Sequence, residues 1–230
     1  MKFVNATLML VALGAATITA QETIGQQPRV QPQSDQQGST TERGQAQNLD
    51  AKIAACLSLG NQEEVALAKF AEKHAQHEDV KAFAKMLADE HTKALEMIQK
   101  ASPEVANLKL AMQDANVGGV EALPQGSNPG MAMLKKIKSE CLSLTQEELQ
   151  DHEGAEFDKA YVGQQLGAHI AMLAELRGSK SFASPELQQP IDEGEKMTKA
   201  HMEKAKVIMS QLKDERGTKS AERPTDASKR

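Results

Sequence analysis

Three helical stretches of this sequence each carry one histidine where an apolar residue would ordinarily sit. His169 falls within Gly154 to Leu176 (GAEFDKAYVGQQLGAHIAMLAEL), on the stripe of Val162, Leu166, Leu173 and Leu176. His91 interrupts the stripe of Val80, Phe83, Ala84, Leu87, Leu95 and Ile98. His201 shares a face with Leu187, Ile191, Gly194, Thr198, Ala205, Ile208 and Leu212. A fourth helix sets a carboxylate, Glu64, among Ile53, Leu57, Gly60, Leu67 and Ala71. One ligand from each of four facing helices is how bundle metal sites are built. Imidazole with carboxylate suits copper, zinc or iron. Glu64, His91, His169 and His201 are therefore the candidate metal ligands.

A structural reading competes with this one, and the sequence favours it. A buried histidine is satisfied by one carboxylate or hydroxyl, and a polar network can fix helix register. Glu64 with His91 is one such expected pair; Asp158 or Tyr161 with His201 is another. Counting residues from the helix turns at 1.5 Å each puts Glu64 and His91 level, ~20 Å from their turn. The same count separates His169 from His201 by ~10 Å along the axis, so one ion is not expected to bind both. A di-iron centre would need Glu three residues before two histidines, and no Glu-x-x-His occurs. Met172, Met197, Met202 and Met209 sit at core spacing and read as packing first, with copper ligation secondary. His74 and His77 read as solvated turn residues. No nucleophile elbow or phosphate-binding glycine loop is present.

Those residues need long helices to position them. The periodicity predicts helices over about 48–75, 78–100, 145–177 and 184–212, with a shorter one over 131–144. Pro103 ends the second, Ser184-Pro185 starts the last, and Thr145 with Glu148 forms a capping box for the third, which has a break near Gly154. Between 102 and 130, Gly118-Gly119, Pro124, Gly126 and Asn128-Pro129-Gly130 are loop signals. The expected fold is all-α: a four-helix bundle of two antiparallel hairpins, with a long connection between helices two and three.

Composition sets the remaining bounds. Trp is absent, Tyr occurs once, Phe five times and Met 11 times, so the core is mainly aliphatic. Net charge is −5 with both signs interleaved, and no basic stripe or stacking aromatics suggest nucleic-acid binding. Met1 to Ala20 has the pattern of a secretory signal peptide, and no later run approaches a membrane span. Residues 21–47 hold nine Gln and two Pro and read as a disordered linker; 213–230 reads as a disordered polar tail. The bundle itself occupies 48–212. In an oxidising compartment Cys56 and Cys141 form either one disulfide or two buried free thiols, and the sequence leaves both open.

Several of these residues also carry a family resemblance. Asn61-Gln62-Glu63-Glu64-Val65, Val80 to Ala84 leading to Glu90-His91-Thr92-Lys93, Gly154 to Tyr161 with His169, and His201 together resemble the DUF4142 family. Its most specific part here is Phe157-Asp158 and Tyr161 with a histidine eight residues after the tyrosine. The resemblance covers roughly 48–210 and implies a ferritin-like fold and an exported bacterial protein, without an activity. Glu90 and Ala168 stand where the family usually has Asp before the histidine, and Glu195-Lys196 where it tends to have Leu-Pro. The favoured expectation is an exported, non-catalytic helical-bundle protein of the bacterial envelope, periplasmic or extracellular; a stress-related role comes from the resemblance alone. No cofactor is expected on that reading. The alternative is a periplasmic metal-binding bundle carrying a transition metal. An envelope protein or a second copy of the chain is the expected kind of partner.

Overall fold

The 3.6-residue stripes become five α-helices among the described residues: α1 (Gln36–His74), α2 (Glu78–Ala101), α3 (Pro129–Gln150), α4 (Gly154–Lys180) and α5 (Pro185–Ala221). A 3₁₀ turn, Pro103–Val105, follows α2, and no strand occurs among the described residues. In this computed structural model the described residues are 36–110 and 129–221, with side chains described over 49–110 and 129–213. The expected signal peptide, linker residues 21–35, most of the expected loop (111–128) and the tail beyond 221 lie outside them. No helix among the described residues is long and apolar enough to cross a membrane.

Local chemistry sets most boundaries. Glu78 and Asp79 place negative charge on the first turn of α2, and His77 caps it, its Nδ1 accepting from the Asp79 N–H at 3.2 Å. His77 is thus half-buried and capping, while His74 is exposed and stacks on Phe70 with ring centroids 4.1 Å apart. The expected capping box is corrected: Thr145 lies inside α3, which runs unbroken to Gln150. The break falls at 151–153, where Gly154 takes φ +58°, a left-handed conformation disfavoured for other residues. Helix also extends beyond the expected ends, through 36–47 and 213–221. Gln, Glu, Arg, Lys and Ala in those stretches are good helix formers, and propagation from an existing helix avoids the nucleation cost.

Two apolar clusters form the core. One gathers Leu67, Ala71, Phe83, Leu87, Tyr161 and Ile208 with their neighbours; the other gathers Ile53, Leu57, Ile98, Leu176, Leu187 and Ile191. α1, α2, α4 and α5 supply both, which is compatible with the expected four-helix bundle. α1 is buried on more than its expected face: Ala54, Ala55, Ser58 and Leu59 are covered as well. The chain after α2 lies over it, with Gln62 Nε2 donating to the Leu108 carbonyl and Gln62 Oε1 accepting from the Leu110 N–H, each at 2.8 Å. Asp158 ties α4 to the α1–α2 turn, its two oxygens accepting from the N–H groups of Gln76 (3.0 Å) and His77 (2.9 Å). These anchors hold the helices in the register that sets the polar layer between the two clusters.

Candidate metal centre

His91 of α2, His169 of α4 and His201 of α5 meet in that polar layer, each 1 % exposed or less. His91 Nε2 lies 3.4 Å from His169 Nε2, which lies 2.9 Å from His201 Nδ1. One ligand nitrogen from each ring falls within 4.8 Å of the others, and this is the one such cluster of His, Cys, Asp or Glu among the described residues.

The outward nitrogens decide what the inward ones carry. His169 Nδ1 lies 2.8 Å from the carbonyl oxygen of Gln165, which can only accept, so Nδ1 bears the proton. His91 Nδ1 lies 2.8 Å from Asn61 Oδ1. The Asn61 amide is oriented by its Nδ2 donating to the Leu57 carbonyl at 2.7 Å, so His91 Nδ1 is also the protonated nitrogen. His201 Nε2 lies 2.9 Å from Glu90 Oε2, a carboxylate 40 % exposed, and donates to it. In the neutral rings the three remaining nitrogens, Nε2 of His91, Nε2 of His169 and Nδ1 of His201, therefore hold bare lone pairs directed at one another. An acceptor fixing the far nitrogen of each imidazole is the second shell of a metal-ligating histidine.

The rings are held neutral. Burial pushes His91 well below the usual histidine range, with the other two histidines adding to it. Burial and then His201 push His169 down to about 4, and burial lowers His201 against the opposing pull of Glu90. Three lone pairs this close repel unless a cation or a shared proton lies between them. Zinc or copper bonds of ~2.0–2.1 Å in a tetrahedral arrangement set ligand nitrogens ~3.3 Å apart. The His169–His201 and His91–His169 separations, 2.9 and 3.4 Å, bracket that spacing.

Three of the four candidate ligands come together; Glu64 does not join them. It is 5 % exposed, faces the Gln165 amide, and has one oxygen, Oε2, without a hydrogen-bond partner. Burial above all pushes it up to about 7. The expected Glu64–His91 pair is replaced by Asn61–His91. Asn61 lies one turn before Glu64 on the same face, and the α1–α2 turn centres near Gln76 instead of His77, which makes Asn61 level with His91. The expected contact of His201 with Asp158 or Tyr161 is likewise corrected to Glu90 and His169. Asp158 caps the α1–α2 turn, and Tyr161 packs between Phe83 and Phe157 with its hydroxyl unpartnered.

The ~10 Å offset expected between His169 and His201 does not separate them, for a reason in helix geometry. Side chains lean toward the N-terminus of their own helix. In the antiparallel pair α4 and α5, that lean carries the His169 ring away from the connecting turn and the His201 ring toward it, closing the gap that Cα counting leaves. Asn61, Glu90 and the Gln165 carbonyl were the parts not assigned a role from sequence. Asn61 carried a signal, a polar residue beside Gly60 on a buried face, and so did Glu90, adjacent to His91.

The two cysteines are free thiols, Cys56 half-buried on α1 and Cys141 exposed on α3. Burial, followed by the neighbouring Glu175 carboxylate, pushes Cys56 up to about 12.

A family profile described as "Domain of unknown function (DUF4142)" matches residues 35–208, spanning all three histidines and their partners. No curated protein and no solved structure matches the chain.

Proposed function

Given that the chain belongs to the DUF4142 family, described only as a domain of unknown function, we propose that it is a metal-binding helical-bundle protein whose His91, His169 and His201 ligate one transition-metal ion. The observation that carries this reading is the set of three proton-free ring nitrogens turned toward one point. Each has its opposite nitrogen engaged by an acceptor of a different kind: amide oxygen, backbone carbonyl or carboxylate. A polar network that served packing alone would pair donors with acceptors. Here the inward side offers acceptors only, and a cation is the partner that satisfies all three.

Three imidazoles with further positions open suit zinc, copper or iron. Because the rings are buried and neutral, an ion among them is held without competition from protons at neutral pH. The signal-peptide pattern of Met1 to Ala20 supports an exported address, where such a protein would meet metal outside the cytoplasm.

Thermal melting of the metal-free protein with and without added zinc or copper tests the reading. At a free metal concentration 100 times the dissociation constant, the expected stabilisation is about 2.7 kcal/mol. The rise should be lost in His169→Gln. A melting temperature unmoved by either metal would overturn the proposal.

A further inference from the structure

A cavity next to the histidine layer carries soft donors. Leu57 and Asn61 of α1, Ala94 of α2, Met172 and Glu175 of α4, and Met197 of α5 are among its lining residues. Asn61 is also the residue that holds His91. Met172 lies one turn C-terminal of His169, and Met197 one turn N-terminal of His201. Because α4 and α5 run antiparallel, both methionines lie on the same side of the triad. A second, more open depression shares Leu57 and Glu175 with the cavity and adds Cys56, Lys52 and Ser179. Glu175 Oε1 is buried and has no hydrogen-bond partner, beside a thiol and facing both spaces.

We infer that the Met172 and Met197 thioethers, which line one cavity on the same side of the triad, direct the site to monovalent copper. The inference rests on the reading of the triad as a metal centre. Thioether and imidazole together are the donor set of Cu(I), a soft ion, whereas zinc gains little from a neutral thioether. A core that needed only volume at these two positions would be served as well by leucine. That equivalence also supplies the test, since Met to Leu conserves volume while removing the sulfur.

The full chain, its M172L/M197L variant and H169Q are titrated anaerobically with Cu(I) against a chromophoric Cu(I) chelator, and with Zn(II) against a zinc chelator. Circular dichroism melts check folding, and the single variants M172L and M197L provide the reading where the double variant does not fold. The expected result is Cu(I) bound by the wild type, with a Cu(I)-over-Zn(II) preference that falls about tenfold or more in the methionine variants. An unchanged preference would overturn the inference. Zinc bound by the wild type without Cu(I) would overturn it as well, while leaving the triad standing as a metal centre. If neither ion binds the wild type, the triad reading itself is lost, and this inference with it.

Discussion

Replacing Glu64 by Gln should make the protein more stable at pH 8 and leave it nearly unchanged at pH 5. The carboxyl is buried, one of its oxygens has no partner, and its pKa is pushed from an ordinary 4.5 to about 7, with burial as the main cause. A folded-state value above the unfolded one means that the native chain holds a proton which the unfolded chain has already lost between these two pH values. The stability tied to this proton is fully present below about pH 4.5 and is lost as pH rises through about 7. At 1.36 kcal/mol per pKa unit, the loss is about 3 kcal/mol, which for a chain of this size corresponds to ~6–12 °C in melting temperature. Gln mimics the protonated acid in shape and carries no charge to bury. Urea denaturation of wild type and variant from pH 5 to pH 9 provides the assay, and the other titrating groups cancel in the difference. A difference that stays flat with pH, or a variant less stable than wild type at pH 8, would refute the reasoning.

Asp158→Ala should destabilise the protein by about 3 kcal/mol or more in urea denaturation, because two backbone N–H groups of the α1–α2 turn lose a charged acceptor. Asp158→Asn, which keeps one oxygen acceptor, should lose less. Alkylation without reductant in denaturant should add two groups to the intact mass, one at each free thiol; in the native protein the exposed Cys141 should react before Cys56. The metal-free protein should weaken in acid. His169 titrates near 4 when folded against an ordinary 6.5, so its contribution is present above about 6.5 and is lost as pH falls through about 4. His169→Gln should flatten that slope by about 3 kcal/mol between pH 7 and pH 4.

The inner face of α5 was fully legible in the sequence. Leu187, Ile191, Gly194, Thr198, His201, Ala205, Ile208 and Leu212 are all buried, because one long helix against one core imposes a single period. α1 was less legible: the segment after α2 and α3 both lie against it, and the apolar stripe of one helix carries no sign of what covers its back. The division between α3 and α4 was blurred because Thr145 and Glu148 imitate a helix start, while the actual break depends on the backbone conformation of Gly154. The three histidines were found as polar interruptions of apolar stripes. Their convergence was obscured by counting Cα levels, which ignores the lean of side chains and moves the level partner by two residues, ~3 Å, when a loop centre moves by one. This error paired His91 with Glu64 in place of Asn61 and kept His169 apart from His201.

Crystals of the protein grown with zinc, measured for anomalous scattering at the zinc edge, test the central claim most directly. One strong peak is expected about 2.0–2.1 Å from His91 Nε2, His169 Nε2 and His201 Nδ1, with Asn61, the Gln165 carbonyl and Glu90 still on the opposite nitrogens. A triad without a peak, its rings hydrogen-bonded to one another, or a zinc ion bound only to surface residues, would contradict it.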